Sequence, residues 1–497
     1  MIWIAQQVNC HYGDNRHLDG KMQKINYIVS IVIVVILFVS VSFFFVPTIQ
    51  ANADKPPDTI FLIIIETLRA DRLSCYGYDQ HLTPNIDYLA REGTMFLNAQ
   101  SVASWTRPSV GAIMTSSYPT QLGMVEKEIS SVKKYDWRER RKQKSFSMPI
   151  HKTTLSDLTK TGGYRNVAFV NQPALSPLKA FRKNFDDFYC PSSSGKIINL
   201  KRAPSSVVQD WQSSSDAYEN DLALTTKVDQ WLNDHHGEKS FVWIHLMTPH
   251  RPYLPPPAYD PSPSFVDDYD KQTTESLMYD GEVLAADEII GNITKIIRNR
   301  IGFNQSFIVL TSDHGEEFWD HNMYEHGHSL HREVIHVPLI LVSPLLPKGM
   351  QISRYVRTID IFPTILNLAQ IDIPSKTKIE GYDLTGFIKD KSIKLPVYSE
   401  AMLYGSTERS FIENGYKLMY EYPDTWRLYE INSDKNETLN ISEKSKKKTL
   451  KMRKKLIKLH NRLERDHQSD SKGSSYKPDK SEEQQALESL KILGYIE

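Results

Sequence analysis

Ser306-Phe307-Ile308-Val309-Leu310-Thr311-Ser312, followed at once by Asp313-His314-Gly315, decides the fold. A β-branched and aromatic run of that length predicts a buried strand. Asp313 and His314 then set an oxygen and a nitrogen donor at the mouth of the sheet, where ligands bind in open α/β folds. Gly315 lets the backbone turn tightly there. The run Thr59 to Ile65 repeats the design and ends in Glu66. Two strands far apart in sequence, each delivering metal-type ligands, predict a metalloenzyme rather than a binding module.

Around these strands the chain alternates strand-like and helix-like segments from Pro56 to about Tyr382. That alternation predicts an α/β fold with a mostly parallel central sheet sandwiched by helices. Further strands are expected at 167–170, 241–246 and 338–342. Ile289, Ile293 and Ile297 share one face of a helix expected over 280–298. Residues 127–147 are polar and basic and read as a surface insertion. Its run Arg138 to Lys142 is a solvated loop, with anionic lipid as the lesser alternative. The prolines at 255–257, 261 and 263 mark an extended loop near the site. The organisation expected is an N-terminal segment 1–54, a catalytic domain 55–394, a small C-terminal antiparallel subdomain 395–440 and a charged tail 441–497. Lys444 to Lys480 reads as an exposed helix or a mobile tail. Ala486 to Ile496 regains apolar spacing and is expected to dock back.

The chain has 497 residues, 40% of them apolar, enough for a large core. Lysine plus arginine and aspartate plus glutamate stand at 60 each, which gives no support to nucleic-acid binding. Cys10, Cys75 and Cys190 lack metal-ligand spacing and are too few for a disulfide framework; a Cys75–Cys190 bridge is a minor alternative. Tyr27 to Val46 is almost wholly apolar and follows Arg16, Lys21 and Lys24. About 20 such residues span a bilayer, and the basic flank keeps the N-terminus cytoplasmic. The segment is read as a signal-anchor that exports the rest, or as a long signal peptide cleaved near Ala53. Met22 is an alternative start.

Glu66, Asp313 and His314 form an oxygen, oxygen and nitrogen ligand set for one divalent metal ion. Zinc or manganese suits it better than calcium or magnesium. Thr106, ahead of Pro108, is expected as an N-cap hydroxyl at the positive end of a helix, a place that holds phosphate or sulfate. It becomes a nucleophile only if a metal lowers its pKa. His250, His326 and His328 are candidates to protonate a leaving group or hold ester oxygens. His245, inside a strand, reads as a core residue, and His321, His331 and His336 receive no role.

Taken in order, these motifs resemble the sulfatase family of the alkaline phosphatase superfamily. Glu66-Thr67-Leu68-Arg69-Ala70-Asp71 resembles its opening motif, and Pro249-His250-Arg251-Pro252-Tyr253 and Ser312 to Glu316 follow in register. His326 to Pro338, Gly381 to Leu384 and Leu493-Gly494-Tyr495 continue the match, which spans roughly residues 56–497. Two departures matter. The family's C-x-P-x-R motif carries a cysteine or serine converted to formylglycine, whereas here Thr106 stands at that position and Val110 at the arginine. The family's paired aspartates are Glu66-Thr67. Glu66, Thr106 and Asp313-His314 together resemble the metal site of phosphoglycerol and phosphoethanolamine transferases, which use a metal-bound threonine.

The resemblance implies a sulfatase-like ester hydrolase acting on phosphate, phosphodiester or sulfate esters, with Glu66, Thr106, Asp313 and His314 at the metal. The substrate would be a phosphate or sulfate ester, with a glycan or a lipid headgroup as the candidate carriers. The alternatives are a membrane-anchored transferase and a non-catalytic binding protein.

Overall fold

The computed structural model of the protein describes residues 55–80, 83–125, 148–176, 178–192, 195–202, 217–261, 270–400, 403 and 407–472. The apolar segment 27–46, Met22, the site near Ala53, the insertion 127–147 and the segment 486–496 lie outside them.

The strands are β1 (Thr59–Ile65), β2 (Thr94–Gln100), β3 (Arg165–Val170), β4 (Asp187–Pro191), β5 (Ile197–Asn199), β6 (Ser240–Leu246) and β7 (Ser306–Ser312). They continue with β8 (Glu317–Phe318), β9 (Tyr324–Glu325), β10 (His336–Val337), β11 (Leu339–Val342) and β12 (Met350–Arg357). A small sheet uses β13 (Val397–Ser399), β14 (Glu408–Glu413), β15 (Tyr416–Glu421) and β16 (Thr425–Tyr429). The longer helices are α1 (Pro84–Glu92), α2 (Thr106–Thr115), α3 (Leu155–Thr161), α4 (Ala217–Asp234), α5 (Lys271–Arg300), α6 (Ile361–Leu368) and α7 (Lys446–Lys472).

Among the described residues the main sheet has ten strands in the order β10-β2-β11-β7-β1-β6-β3-β4-β5, with β12 beside β2. β1 lies at its centre, parallel to β6 on one side and β7 on the other. β11 runs antiparallel to β7, so the sheet is mixed but mostly parallel. Strand periodicity sorts the side chains. Ile60, Leu62 and Ile64 pack on one face with Val110 and Ile113 of α2, Leu155 of α3 and Ile365 of α6. Phe61, Ile63 and Ile65 pack on the other with Leu89 of α1, Val228 of α4 and Val283 and Ile290 of α5. Both faces of β1 are therefore covered, which explains its unbroken apolar run.

The helix expected over 280–298 extends back to Lys271, because the Asp270 side chain accepts the Thr273 N–H and caps an earlier start. The small sheet is antiparallel, in the order β13-β14-β15-β16. Asn414 and Gly415, both at positive φ (53° and 77°), turn β14 into β15. The segment from Lys444, expected as an exposed helix or mobile tail, instead forms α7 with one face buried: Met452, Leu456 and Leu463 pack on Phe411, Leu418 and Tyr398. Neither Cys75 nor Cys190 is in a disulfide, so the bridge between them is set aside. No helix among the described residues is long and apolar enough to cross a membrane.

Candidate active site

Three adjacent parallel strands end at one point. The register pairs Ile65 with both Leu246 and Ser312, so Glu66 leaves β1 beside Asp313, while His245 sits one residue back on β6. Glu66, His245 and Asp313 each offer a ligand atom, all within 4.8 Å of one another and all buried. His245 was read from sequence as a core residue. Its Nε2 instead lies 2.6 Å from Glu66 Oε2. The signal that could have found it is the register of neighbouring parallel strands, which a single sequence does not reveal.

Thr106 is the first residue of α2, not its cap; Trp105 holds the cap position and makes no side-chain cap bond. The Thr106 hydroxyl is thereby released toward the site, where Oγ1 donates to Glu66 Oε1. His314 Nε2 lies 3.4 Å from the same hydroxyl, 3.3 Å from Asp313 Oδ2 and 3.6 Å from Glu66 Oε1. His314 Nδ1 faces the Gly315 carbonyl at 2.8 Å and must carry a proton there. That bond aims Nε2 at the carboxylates, the tautomer that metal-binding histidines use.

Electrostatics shows what the cluster lacks. Burial raises Glu66, but the hydrogen bonds and charge of His245 and His314 hold it well below the usual carboxylate range. Burial and the Glu66 charge push Asp313 up to about 6. Burial opposes a charge on His314, yet Asp313 and Glu66 push it up to about 9. Asp313 Oδ2 has no hydrogen-bond partner among the described residues. Two buried carboxylates, an orphaned oxygen and a nitrogen drawn toward positive charge fit a divalent cation well. Glu66, Asp313 and His314 would hold it, with His245 and Thr106 at its edge.

The turn after Glu66 is strained and clamped. Thr67, β-branched, has φ 53°, a conformation that costs about 1–3 kcal/mol for such residues. Its N–H reaches Asp313 Oδ1 at 3.3 Å, and its carbonyl accepts the Tyr279 hydroxyl at 2.8 Å. Arg69 N–H donates to the same Tyr279 oxygen at 3.0 Å, and Leu68 N–H to Ser312 Oγ at 3.0 Å. Sequence gave no sign of Tyr279 in this place.

The other expected histidines arrive in part. The His326 ring lies 4.4 Å from that of His314 and 5.3 Å from that of His250, so three imidazoles run in a row. His326 Nδ1 meets Glu316 Oε1 at 2.9 Å, and His250 Nδ1 donates to the Arg251 carbonyl at 2.6 Å. Burial, then the neighbouring His326, brings His250 down to about 4. Burial and His314 hold His326 well below the ordinary imidazole range, with a smaller push from His328. His328 is half-buried on the same segment, where burial brings it down to about 4, and its charge would act on His326. Burial raises Glu316 to about 7.

A second group, Glu317, His321 and Glu333, also lies within ligand distance. Here His321 Nδ1 meets Glu333 Oε1 at 2.6 Å and Nε2 meets the Asn436 carbonyl at 2.9 Å. Both ring nitrogens face acceptors, so this group is a half-buried imidazolium ion pair. His331 stacks on His321 at 3.6 Å and reaches Glu437, which Lys417 of β15 neutralises. The network ties the small sheet to the segment that follows the site.

A hydroxyl at a helix N-terminus, beside a buried carboxylate and imidazole cluster at the ends of parallel strands, is an arrangement suited to an enzyme that acts on charged esters. The chain belongs to the sulfatase family: the Sulfatase family profile matches residues 58–371, and the N-sulphoglucosamine sulphohydrolase C-terminal profile matches 315–467. An ulvan-active sulfatase of Formosa agariphila is 25% identical over 69% of this chain and 68% of its own length. Human N-acetylgalactosamine-6-sulfatase is 24% identical over 67% and 66%. Arylsulfatase K of Xenopus laevis is 27% identical, but the match spans only 34% of either chain. Among solved structures, the phosphonate monoester hydrolase of Agrobacterium radiobacter has the same fold at TM-score 0.64 and 16% identity, covering 82% of this chain and 96% of its own. An enzyme solved with its substrate D-glucosamine-2-N,6-O-disulfate superposes at TM-score 0.62 and 19% identity, covering 85% and 100%.

Proposed function

We propose that this sulfatase-like hydrolase is extracytoplasmic and metal-dependent, and that Thr106 is its nucleophile. The observation that carries the reading is the Thr106 hydroxyl, buried at the head of α2 between Glu66 Oε1 and His314 Nε2. A divalent cation, when bound by Glu66, Asp313 and His314, supplies positive charge that lowers the pKa of the hydroxyl and draws in the ester's non-bridging oxygens. The N-terminus of α2 adds its backbone dipole to the same task.

The chain's own groups account for the rest. Thr106 Oγ1 forms a bond to phosphorus (or sulfur) as the bond to the leaving oxygen breaks. The Thr106 proton faces Glu66 Oε1, its acceptor. His250 and His326 are neutral in their buried setting, so the proton given to the leaving oxygen starts on Glu316, raised to about 7 and 2.9 Å from His326 Nδ1, and reaches it through these rings. They act as a relay rather than as standing acids. Water then attacks the covalent ester and frees Thr106; a hydroxyl acceptor in place of water would make the protein a transferase. The likeness of Glu66, Thr106 and Asp313-His314 to phospho-transferring relatives supports that second reading.

Phosphate monoesters or diesters, on a glycan or a lipid headgroup, are the substrates proposed first. Threonine at the nucleophile position argues against sulfate, although the relatives' names point to sulfated sugars. Export through the apolar segment 27–46, retained as an anchor or cleaved near Ala53, is part of the same proposal.

The test is turnover of a nitrophenyl phosphodiester and a nitrophenyl sulfate by the zinc- or manganese-loaded protein, with Thr106→Ala as control. Diester turnover lost in a variant that still binds metal supports the reading. Sulfate turnover would make the protein a sulfatase despite its threonine. Activity retained in Thr106→Ala removes Thr106 as nucleophile.

A further inference from the structure

Between Lys446 and Leu463 the chain has nine lysines and arginines and no acidic residue, in a protein whose charges balance at 60 each. All of these residues lie on α7. The helix buries Met452, Leu456 and Leu463 against the body. Its opposite face carries Lys447, Lys451, Lys454 and Lys458, at spacings of four, three and four residues, and all four are exposed. Of the helix's other cations, Arg453 pairs with Asp424, Lys455 with Glu413 and Arg462 with Glu380. None of the four on the open face has an ion-pair partner among the described residues. Beside them, Leu450 is 55% exposed and Ile457 39%. Seven residues apart, these two form an aliphatic edge to the basic stripe.

A solvated helix face ordinarily mixes charges of both signs along its length. This face carries one sign only, bordered by aliphatic side chains in water. Basic residues flanking exposed aliphatics suit a surface that offers negative charge above hydrocarbon. A soluble polyanion would satisfy the lysines but gives Leu450 and Ile457 nothing to bury against. We infer that the outer face of α7 docks on an anionic lipid surface, with Lys447, Lys451, Lys454 and Lys458 among the headgroups and Leu450 and Ile457 at the acyl boundary. The inference is independent of the reaction proposed for Thr106.

The test uses the full chain in lipid nanodiscs, with Cys10 and Cys75 replaced by serine and an environment-sensitive dye on Ile457→Cys. In discs containing phosphatidylglycerol the dye emission shifts to the blue and is quenched by brominated lipid. In pure phosphatidylcholine discs neither change occurs. Added salt reverses both, because the attraction is screened within a Debye length. Each Lys→Glu change lowers the docked-to-undocked ratio by at least roughly fivefold, from the usual contribution of one basic residue near such a surface. Absence of a shift in anionic discs overturns the inference. So does an equal shift in neutral discs, an equal shift with dextran sulfate in place of anionic lipid, or a dye already buried without lipid.

Discussion

His245 Nε2 lies 2.6 Å from Glu66 Oε2, and both side chains are completely buried. The contact crosses from the strand that carries the site histidine to the strand that carries the site carboxylate. It holds Glu66 Oε2, while Thr106 takes Oε1, so the carboxylate has a single orientation. Replacing His245 by glutamine removes the imidazole at similar volume. Partners of this kind change metal affinity by roughly 10–100-fold. Chelator-competition titration of His245→Gln with zinc or manganese checks this, alongside a melting curve that verifies folding. Unchanged affinity in a folded variant would return His245 to the role of an ordinary core residue.

Tyr279 supports the site from within α5. Its hydroxyl closes two bonds across the Thr67 turn, one to the Thr67 carbonyl and one from Arg69 N–H. Tyr279→Phe leaves both backbone groups buried without that partner. Each costs about 1–3 kcal/mol. It also releases the clamp on a residue at φ 53°. The expected outcome is a lower denaturation midpoint together with weaker metal binding, since Thr67 N–H steadies Asp313. Loss of stability with metal affinity intact would show that the turn does not position the ligands.

Much of this was legible in the sequence, for identifiable reasons. β1 and β7 are buried on both faces, so their apolar runs name them directly, and the candidate ligands at their ends follow from the rule about strand ends. His245 was missed because β6 reads as a uniform apolar run in which one histidine looks incidental; only the pairing of Ile64 with His245 puts it beside Glu66. Tyr279 was missed for a related reason, as its neighbours Thr67 and Arg69 are distant in sequence and meet it through backbone atoms that leave no pattern. Thr106 was placed at the right helix end but one position early. That single step turns a capping hydroxyl into one free to meet Glu66. The C-terminal helix was read as exposed because its charges outnumber its apolar residues, although Met452, Leu456 and Leu463 hold a buried stripe.

Gly315 is required by close approach. A Cβ there would stand 2.0 Å from the Glu333 carbonyl oxygen, a contact that only a backbone shift can relieve. Gly315 N–H also donates to the Val334 carbonyl at 2.7 Å, so the two segments are already bonded face to face. Gly315→Ala is expected to cost about 1–3 kcal/mol, as overpacking does in tight interiors. It should also move His314, whose Nδ1 is held by the Gly315 carbonyl. A calorimetric melt and a metal titration on the same sample separate the two effects. A wild-type melt would mean that the turn yields more readily than its contacts indicate.

The stacked pair His321 and His331 predicts a pH dependence of stability carried by groups outside the candidate ligand set. Burial opposes a charge on His321, but the bond to Glu333 and the carboxylates around it push it up to about 9 from 6.5. Burial lowers His331 despite Glu437, so the stack pairs an imidazolium with a neutral ring. A group whose pKa is raised by folding contributes its stability in full below the unfolded value. That contribution is then lost as pH climbs through the folded value. For His321 the window is therefore 6.5 to about 9. Glu437, held down at about 2 from 4.5 chiefly by Lys417 against the opposing effect of burial, acts at the acid end and leaves that window clear. The stability difference between the wild type and His321→Gln, measured by urea denaturation, should be largest near pH 6 and shrink steadily toward pH 9. Two curves that stay parallel across the range would mean that His321 folds as a neutral ring and that the ion pair with Glu333 does not form.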